Sequence, residues 1–219
     1  MKTLTLRPNE VARFLRPSGL VVIPCKEQPL LPPRDRYPTM HDARVAAALK
    51  LCPLGGPGSQ WVGREPWEVV AAFKDHKRPV SYEARCVYRA DASKAKATTH
   101  DAPIRQVPIS REVYESLDSI RNTNSQWRPA STMPDWASRI RKTTTRVELR
   151  RVKTITEAEA IHAGISQGGC FNCGGNQPCG CERPEPSCRE TWVREFLVRY
   201  PGAWDRDDYA WFVFYTDTL

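Results

Sequence analysis

Residues 138–151 read SRIRKTTTRVELRR and form the longest strand-like stretch of the sequence. Threonine, valine and isoleucine favour extended backbone. The alternation slips once, because Ile140 lies on the even-numbered face and Leu149 on the odd-numbered face. One extra residue near positions 145–146 would bring both side chains to the same face, as a β-bulge does. The stretch therefore predicts one long strand with a bulge in its middle.

Shorter elements surround this strand on both sides. Alternating or apolar segments predict strands, and helical periodicity or an N-terminal capping box predicts helices. The predicted strands cover residues 3–6, 20–23, 61–62, 83–89 and 209–215, and the predicted helices cover 10–15, 43–51, 111–120, 156–164 and 189–200. Short strands interrupted by helices predict an α+β fold, either a small barrel or a curled sheet, and not a doubly wound fold.

The length of 219 residues suits one large domain or two small ones. We expect a single domain over residues 1–219, with a polar insertion at 92–126 and a cysteine-rich insertion at 166–190. The first residues lack the apolar core of a secretory signal, and no apolar run approaches the ~18 residues needed to cross a bilayer. These features predict a cytoplasmic protein without a membrane partner.

Most of the net charge falls in one stretch. The chain carries 33 Lys+Arg and 25 Asp+Glu, a formal net charge of +8. Between Arg121 and Lys153 there are nine basic and two acidic residues, so 9 − 2 = +7 of that charge lies there. Trp127 and Trp136 lie among these arginines. Guanidinium groups for phosphates and flat rings for bases are typical of single-stranded nucleic-acid binding. The alternative is a solvated basic face with both tryptophans in the core.

Five of the eight cysteines crowd into one segment, namely Cys170, Cys173, Cys179, Cys181 and Cys188. A C-x2-C pair on a turn directs two sulfurs at one centre, and structural zinc takes four ligands in a tetrahedron. Cys170, Cys173, one of Cys179 or Cys181, and Cys188 would make one structural zinc site. The second half does not have the spacing of a standard zinc knuckle, so free thiols in a flexible insertion, or a disulfide, remain open alternatives.

Six motifs occur in an order that resembles a known family. They are CPLG at 52–55, REPW at 64–67, YRAD at 88–91, WRP at 127–129, MPDWASRI at 133–140 and PGAWD at 201–205. In this order they resemble the ASCH-domain proteins of tailed phages and prophages. The resemblance implies a PUA-like small β-barrel with flanking helices, a fold associated with recognition of RNA and modified bases.

Some ASCH proteins are amidohydrolases that act on acetylated cytidine, with a Lys-Thr pair in a G-R-K-T segment and a later glutamate. This chain departs from that pattern at both places. Residues 16–22 read RPSGLVV where the Lys-Thr segment is expected, and Ala163 stands where the glutamate before Gly164 is expected. The resemblance therefore implies recognition without this hydrolase chemistry.

We expect a protein that binds single-stranded nucleic acid, RNA or DNA, or a modified base, without catalysis. The expected phosphate or base contacts are Arg64, Arg128, Arg139, Arg141 and Lys142, and the expected stacking residues are Trp61 and Trp127.

Two other functions stay open at this point. One is a hydrolase with a rebuilt site in which Glu65 is the general base, although an adjacent Arg-Glu pair such as Arg64 and Glu65 is more often a structural ion pair. The other is a phage accessory protein that binds and inhibits a host defence protein through its two insertions.

Overall fold

The long central strand forms as predicted, with its bulge. We describe the chain from a computed structural model, which covers residues 1–75, 80–92, 102–117, 127–165 and 187–218. Strand β7 (Ile140–Arg151) pairs antiparallel with β8 (Tyr209–Asp217), and the register shifts between Thr144 and Arg146. The bulge predicted near residues 145–146 is therefore confirmed.

The strands form two sheets. One sheet has five strands in the order β1-β3-β7-β8-β2, and the other has three strands in the order β4-β5-β6. The remaining strands are β1 (Lys2–Thr5), β2 (Ser18–Pro24), β3 (Gln60–Arg64), β4 (Trp67–Asp75), β5 (Ser81–Tyr88) and β6 (Arg105–Ile109). The sequence patterns indicated neither β4 nor β6, because both are half-exposed strands without clean alternation.

Five α-helices connect these strands in the described residues. They are α1 (Pro8–Phe14), α2 (Pro38–Lys50), α3 (Arg111–Leu117), α4 (Glu157–His162) and α5 (Cys188–Arg199). The Thr156 side chain accepts a hydrogen bond from the Glu159 amide, and Ser187 does the same for Glu190. Such capping boxes satisfy amides that the first helical turn leaves unpaired.

The chain divides into two compact units, and β3 and β7 contribute residues to both. The first unit contains Thr3–Leu15 and Val62–Arg141, and the second contains Arg16–Trp61 and Lys142–Leu219. In the first unit, an apolar cluster packs around residues of β4 and β5; its fully or nearly buried members include Trp67, Ala84, Cys86, Tyr88, Met133 and Ala137.

The second unit has its own core between β8, β2 and the helices α4 and α5. Leu20 and Val22 of β2 stand opposite Phe214 and Phe212 of β8, and Trp192 of α5 packs on the same cluster. Burial of each such side chain contributes about 1.5–3 kcal/mol to the free energy of folding. This packing fixes β8 and its aromatic side chains beside β7.

The chain is thus α+β, with a five-stranded and a three-stranded sheet, which is compatible with the predicted small β-barrel with flanking helices. Part of the predicted polar insertion at 92–126 is regular, since its described residues include β6 and α3. Among the described residues, no helix has the length and apolar character needed to span a bilayer.

Candidate nucleic-acid interface

Arg139 is held by two carboxylates in the first unit. It leads into β7, and its Nε and Nη2 donate to Glu65 Oε1 at 2.7 Å and Oε2 at 3.1 Å. Its Nη1 donates to both oxygens of Asp91 at 2.9 Å, and its guanidinium lies 4.5 Å from the ring centre of Tyr88. Arg105 adds a second cation, with its Nε 2.8 Å from Asp91. All three guanidinium nitrogens of Arg139 therefore already donate to carboxylates of the protein.

The two carboxylates of this cluster differ in their pKa because they differ in burial. Burial raises the pKa of Glu65 above its usual range, and the hydrogen bonds from Arg139 only partly oppose that effect. Burial also acts to raise the pKa of Asp91, but the hydrogen bonds from Arg105 and Arg139 outweigh it and lower that pKa. Both oxygens of Glu65 already accept from Arg139, so the arrangement does not present Glu65 as a free general base.

Three more predicted contact residues lie in the first unit. Arg64 is 3.1 Å from Asp135 through Nη2, so the adjacent Glu65 is not its ion-pair partner. Arg141 is exposed and donates from Nη2 to the Asp135 carbonyl at 2.8 Å. Arg128 donates from Nε to both oxygens of Glu68, at 2.9 and 3.0 Å. Of these three, only Arg141 has no carboxylate partner among the described residues.

Lys142 is buried, although its place in the basic stretch predicted a contact with nucleic acid. Its Nζ donates to the carbonyl of Arg16 at 2.6 Å and to the carboxylate of Asp217, and lies 5.5 Å from the ring centre of Tyr215. All of these groups belong to the second unit. The Lys142 amine therefore links β7 to the end of β8, and its charge is not available to a ligand.

The tryptophans also differ from their expected roles. Trp61 is fully buried and packs edge-on against Tyr215 with ring centres 5.4 Å apart, so it presents no ring face to a base. Trp136 packs edge-on against Trp67 beside the core of the first unit, at 5.8 Å. Trp127 is half-buried, and the guanidinium of Arg89 lies 5.8 Å from its ring centre. Of the two predicted stacking residues, Trp127 therefore keeps a partly accessible ring and Trp61 does not.

Besides Arg141, the exposed cations of the basic stretch lie further along β7 and just after it, in the second unit. Three arginines of β7 stack on rings of β8, at 3.9–4.0 Å from guanidinium carbon to ring centre. The pairs are Arg146 on Phe214, Arg150 on Phe212 and Arg151 on Tyr209. We call these three residues the arginine row. A guanidinium stacked on a ring keeps its N–H edges available in the plane of the stack.

Members of the arginine row differ in how far they are already paired. Arg150 is 2.5 Å from Glu159 and 3.2 Å from Glu148, so it is an internal ion-pair residue. Arg146 shares Glu148 at 3.2 Å, but 60% of its side chain is exposed. Arg151 is exposed and donates to the Asp207 carbonyl. Exposed ion pairs are weak, about 0–1 kcal/mol. Arg146 and Arg151 can therefore accept a phosphate.

None of the three residues of the arginine row was among the contacts predicted from the sequence. A usable pattern was nevertheless present: aromatic residues at alternating positions of the last strand, 212 and 214, beside a strand with arginines at alternating positions, 146 and 150. Cross-strand pairing then predicts guanidinium–ring contacts. Only the register, which the bulge shifts, decides which arginine meets which ring.

The cysteine cluster is described only at its last member. Cys170, Cys173, Cys179 and Cys181 lie outside the described residues. Cys188 opens α5, where it is buried in the apolar cluster of the second unit. Burial, and then the nearby Glu157 carboxylate, raise the pKa of its thiol. No group of three His, Cys, Asp or Glu side chains suited to a metal occurs in the described part of the chain. Within the described residues, Cys188 is thus a buried residue of an apolar core, whereas the sequence predicted it as a zinc ligand.

Comparison of the chain with protein-family models, curated protein sequences and solved structures finds no significant match. The resemblance to ASCH proteins therefore depends on the motifs alone. Four of the six motifs lie in the first unit, and they supply Glu65, Asp91, Arg128 and Arg139, which form the ion pairs described above.

Proposed function

We propose that the chain binds single-stranded nucleic acid, or a modified base within it, without turnover, and that β7 of the second unit supplies the phosphate contacts. The contact residues in this proposal are Arg146, Arg151 and the exposed Lys153 that follows the strand. Arg150 positions its neighbours through its pairs with Glu148 and Glu159. This assignment replaces Arg64, Arg128, Arg139 and Lys142, whose charges have protein partners.

The stacking of Arg146 and Arg151 on aromatic rings, at 3.9 Å each, carries the proposal. Each ring limits the rotation of its guanidinium, so less entropy is lost when a phosphate binds. Arg146 and Arg151 are five residues apart on one strand, which corresponds to about 16 Å. Five is an odd number, so the two side chains leave opposite faces of β7, and a single strand that contacts both has to pass around the C-terminal end of β7, where Lys153 lies.

Two observations support binding without turnover. The Lys-Thr segment and the glutamate of the related hydrolases are replaced at residues 16–22 and Ala163. Glu65, the acid considered for a rebuilt site, has both oxygens engaged by Arg139. A general base needs a free oxygen within hydrogen-bond reach of the proton it removes.

Fluorescence anisotropy tests the proposal, with labelled RNA and DNA single strands of about 12 nucleotides. Three phosphate contacts predict that log K falls with log salt with a slope of about −2 between about 50 and 200 mM. Replacing both Arg146 and Arg151 by Gln should weaken binding by about tenfold or more. The control replaces the exposed Arg194 of α5 and a second exposed arginine, Arg111 of α3, by Gln, because this removes the same charge from other elements.

An affinity that does not change with salt would contradict the proposal, and so would equal losses in the arginine-row variant and the control. Strands that contain N4-acetylcytidine in place of cytidine test recognition of a modified base. Release of acetate from such a strand, followed by mass spectrometry, would instead establish the hydrolase. Loss of that release in Glu65→Gln would then assign the general base.

A further inference from the structure

Helix α2 leaves most of its surface in solvent. Only Ala48 of its thirteen residues is buried. Side chains at alternating spacings of three and four lie on one side of a helix, and this is the seam along which coiled-coil helices pack. Five exposed residues of α2 and its two flanking positions have this spacing, namely Tyr37, Met40, Arg44, Ala47 and Leu51. We call these five residues the α2 seam.

The large apolar side chains of the α2 seam are about half exposed or more. Tyr37 is 53% exposed, Met40 48% and Leu51 72%. Leu30 is also exposed and is held beside the seam, because Arg44 Nη1 donates to the Leu30 carbonyl at 2.6 Å. An exposed apolar patch of this kind, edged by polar residues, typically marks a contact with another macromolecule.

From this geometry we infer that the α2 seam docks an amphipathic helix of another protein, one that places an acidic side chain opposite Arg44. The seam spans fifteen residues from Tyr37 to Leu51, a rise of about 21 Å, which matches a partner helix of about four turns. The apolar residues near its two ends would bury against the partner. Arg44 lies in the centre.

Arg44 determines the chemistry of the partner. Its guanidinium donates to one backbone carbonyl and has no carboxylate partner among the described residues. A partner helix would take this charge out of water, which is costly unless an anion pairs with it. A polar residue at one seam position also fixes the register of the two helices. The occupant therefore needs apolar residues at seam spacing with one Glu or Asp between them.

A second copy of this chain is a poor occupant. In a parallel pair, Arg44 would face the Arg44 of the other copy directly. In an antiparallel pair that matches Met40 with Leu51, each Arg44 faces Ala47, and the two arginines lie only three residues apart, about 4.5 Å along the axis. Like charges at this distance repel, and no acidic residue occupies the α2 seam to offset them. The charge pattern thus favours a different protein.

Designed peptides of three heptads, added to the full chain, test the inference. Each carries Leu at its seam positions except the central one, which is Glu in one peptide and Lys in the other. We expect the Glu peptide to bind about tenfold more tightly than the Lys peptide, and Arg44→Glu to reverse that order. Met40→Asp and Leu51→Asp should each weaken binding at least tenfold. Val198→Asp is the control, because Val198 is an exposed apolar residue of α5.

Equal affinity for the two peptides, or no binding of either, would overturn the inference. A dimer of the chain that Met40→Asp dissociates, measured by light scattering, would also overturn it, because the occupant would then be a second copy. Circular dichroism of each variant checks that α2 and the fold are intact. The double substitution Arg146→Gln and Arg151→Gln should leave peptide binding unchanged, so this test is independent of nucleic-acid binding.

Discussion

Arg139 and Glu65 form a bidentate pair across 74 residues of sequence, with nitrogen–oxygen distances of 2.7 and 3.1 Å. Asp91 occupies the remaining nitrogen of the guanidinium at 2.9 Å. Glu65 is only 1% exposed, so its charge depends on this arginine for compensation. Arg139, which the sequence predicted to contact nucleic acid, thus forms internal ion pairs with Glu65 and Asp91 in the first unit.

Arg139→Ala should therefore destabilise the protein strongly. Removal of one partner leaves a buried carboxylate without compensation, which typically costs about 3–5 kcal/mol. Urea unfolding followed by tryptophan fluorescence measures the change. Arg139→Lys should recover only part of the stability, because an ammonium cannot form the two parallel bonds. A loss below about 1 kcal/mol in Arg139→Ala would contradict a structural role and return Arg139 to the ligand-binding residues.

Glu65→Gln should change the dependence of stability on pH. Burial raises the pKa of Glu65 in the folded chain, so the folded state holds its proton at pH values where the unfolded state has released it. The stability that this group contributes is present below its unfolded pKa of about 4.5 and is lost as pH rises through the folded value. The stability of Glu65→Gln relative to the wild type should therefore increase from pH 4 to 7, as measured by urea unfolding. A constant difference would contradict the raised pKa.

Gly63→Ala should destabilise the first unit. A Cβ at this position would lie 2.8 Å from both Ile140 Cγ2 and Leu6 Cδ1, closer than side chains tolerate. Overpacking of this kind costs about 1–3 kcal/mol. Gly56→Ala is the matched control, because no atom lies within 4 Å of the added methyl group. Equal midpoints of thermal unfolding for the two variants would show that the core relaxes around the methyl group.

The main elements of the fold could be predicted because their patterns are local. The slip in alternation after Ile140 was sufficient to predict the bulge, and the capping-box sequence at Thr156 was sufficient to predict the start of α4. Strands β4 and β6 could not be predicted in this way. Both pair with β5, and their half-exposed residues carry little alternation, so tertiary pairing determines their conformation.

The candidate site could be predicted only in part, because the acids that neutralise the basic stretch come from elsewhere in the chain. Arg128 meets Glu68 across 60 residues, and Lys142 meets Asp217 across 75. A charge count over residues 121–153 contains neither acid. Which arginines remain exposed is therefore a property of the tertiary structure.

Lys142→Met should leave both stability and nucleic-acid binding almost unchanged. Met fills a similar volume, and the Asp217 carboxylate that loses the amine is 55% exposed, so water can solvate it and the exchange should cost less than about 1.5 kcal/mol. Lys142→Ala should instead cost about 2–5 kcal/mol, because it leaves a cavity. Urea unfolding and anisotropy with the labelled strands measure the two properties. A folded Lys142→Met variant that binds ten times more weakly would place Lys142 back among the ligand contacts.

Any zinc should be held by the four cysteines that precede α5, and not by Cys188. The Cys188 thiol is surrounded by apolar side chains and the Glu157 carboxylate, which raise its pKa, whereas zinc binds thiolates. We expect one zinc per chain by elemental analysis of protein purified without added metal. Cys188→Ala should retain it, and Cys170→Ser or Cys181→Ser should lose it. If Cys170→Ser retained its zinc and Cys188→Ala lost it, Cys188 would be a zinc ligand and this assignment would be wrong. Well under one equivalent in the wild type would favour free thiols.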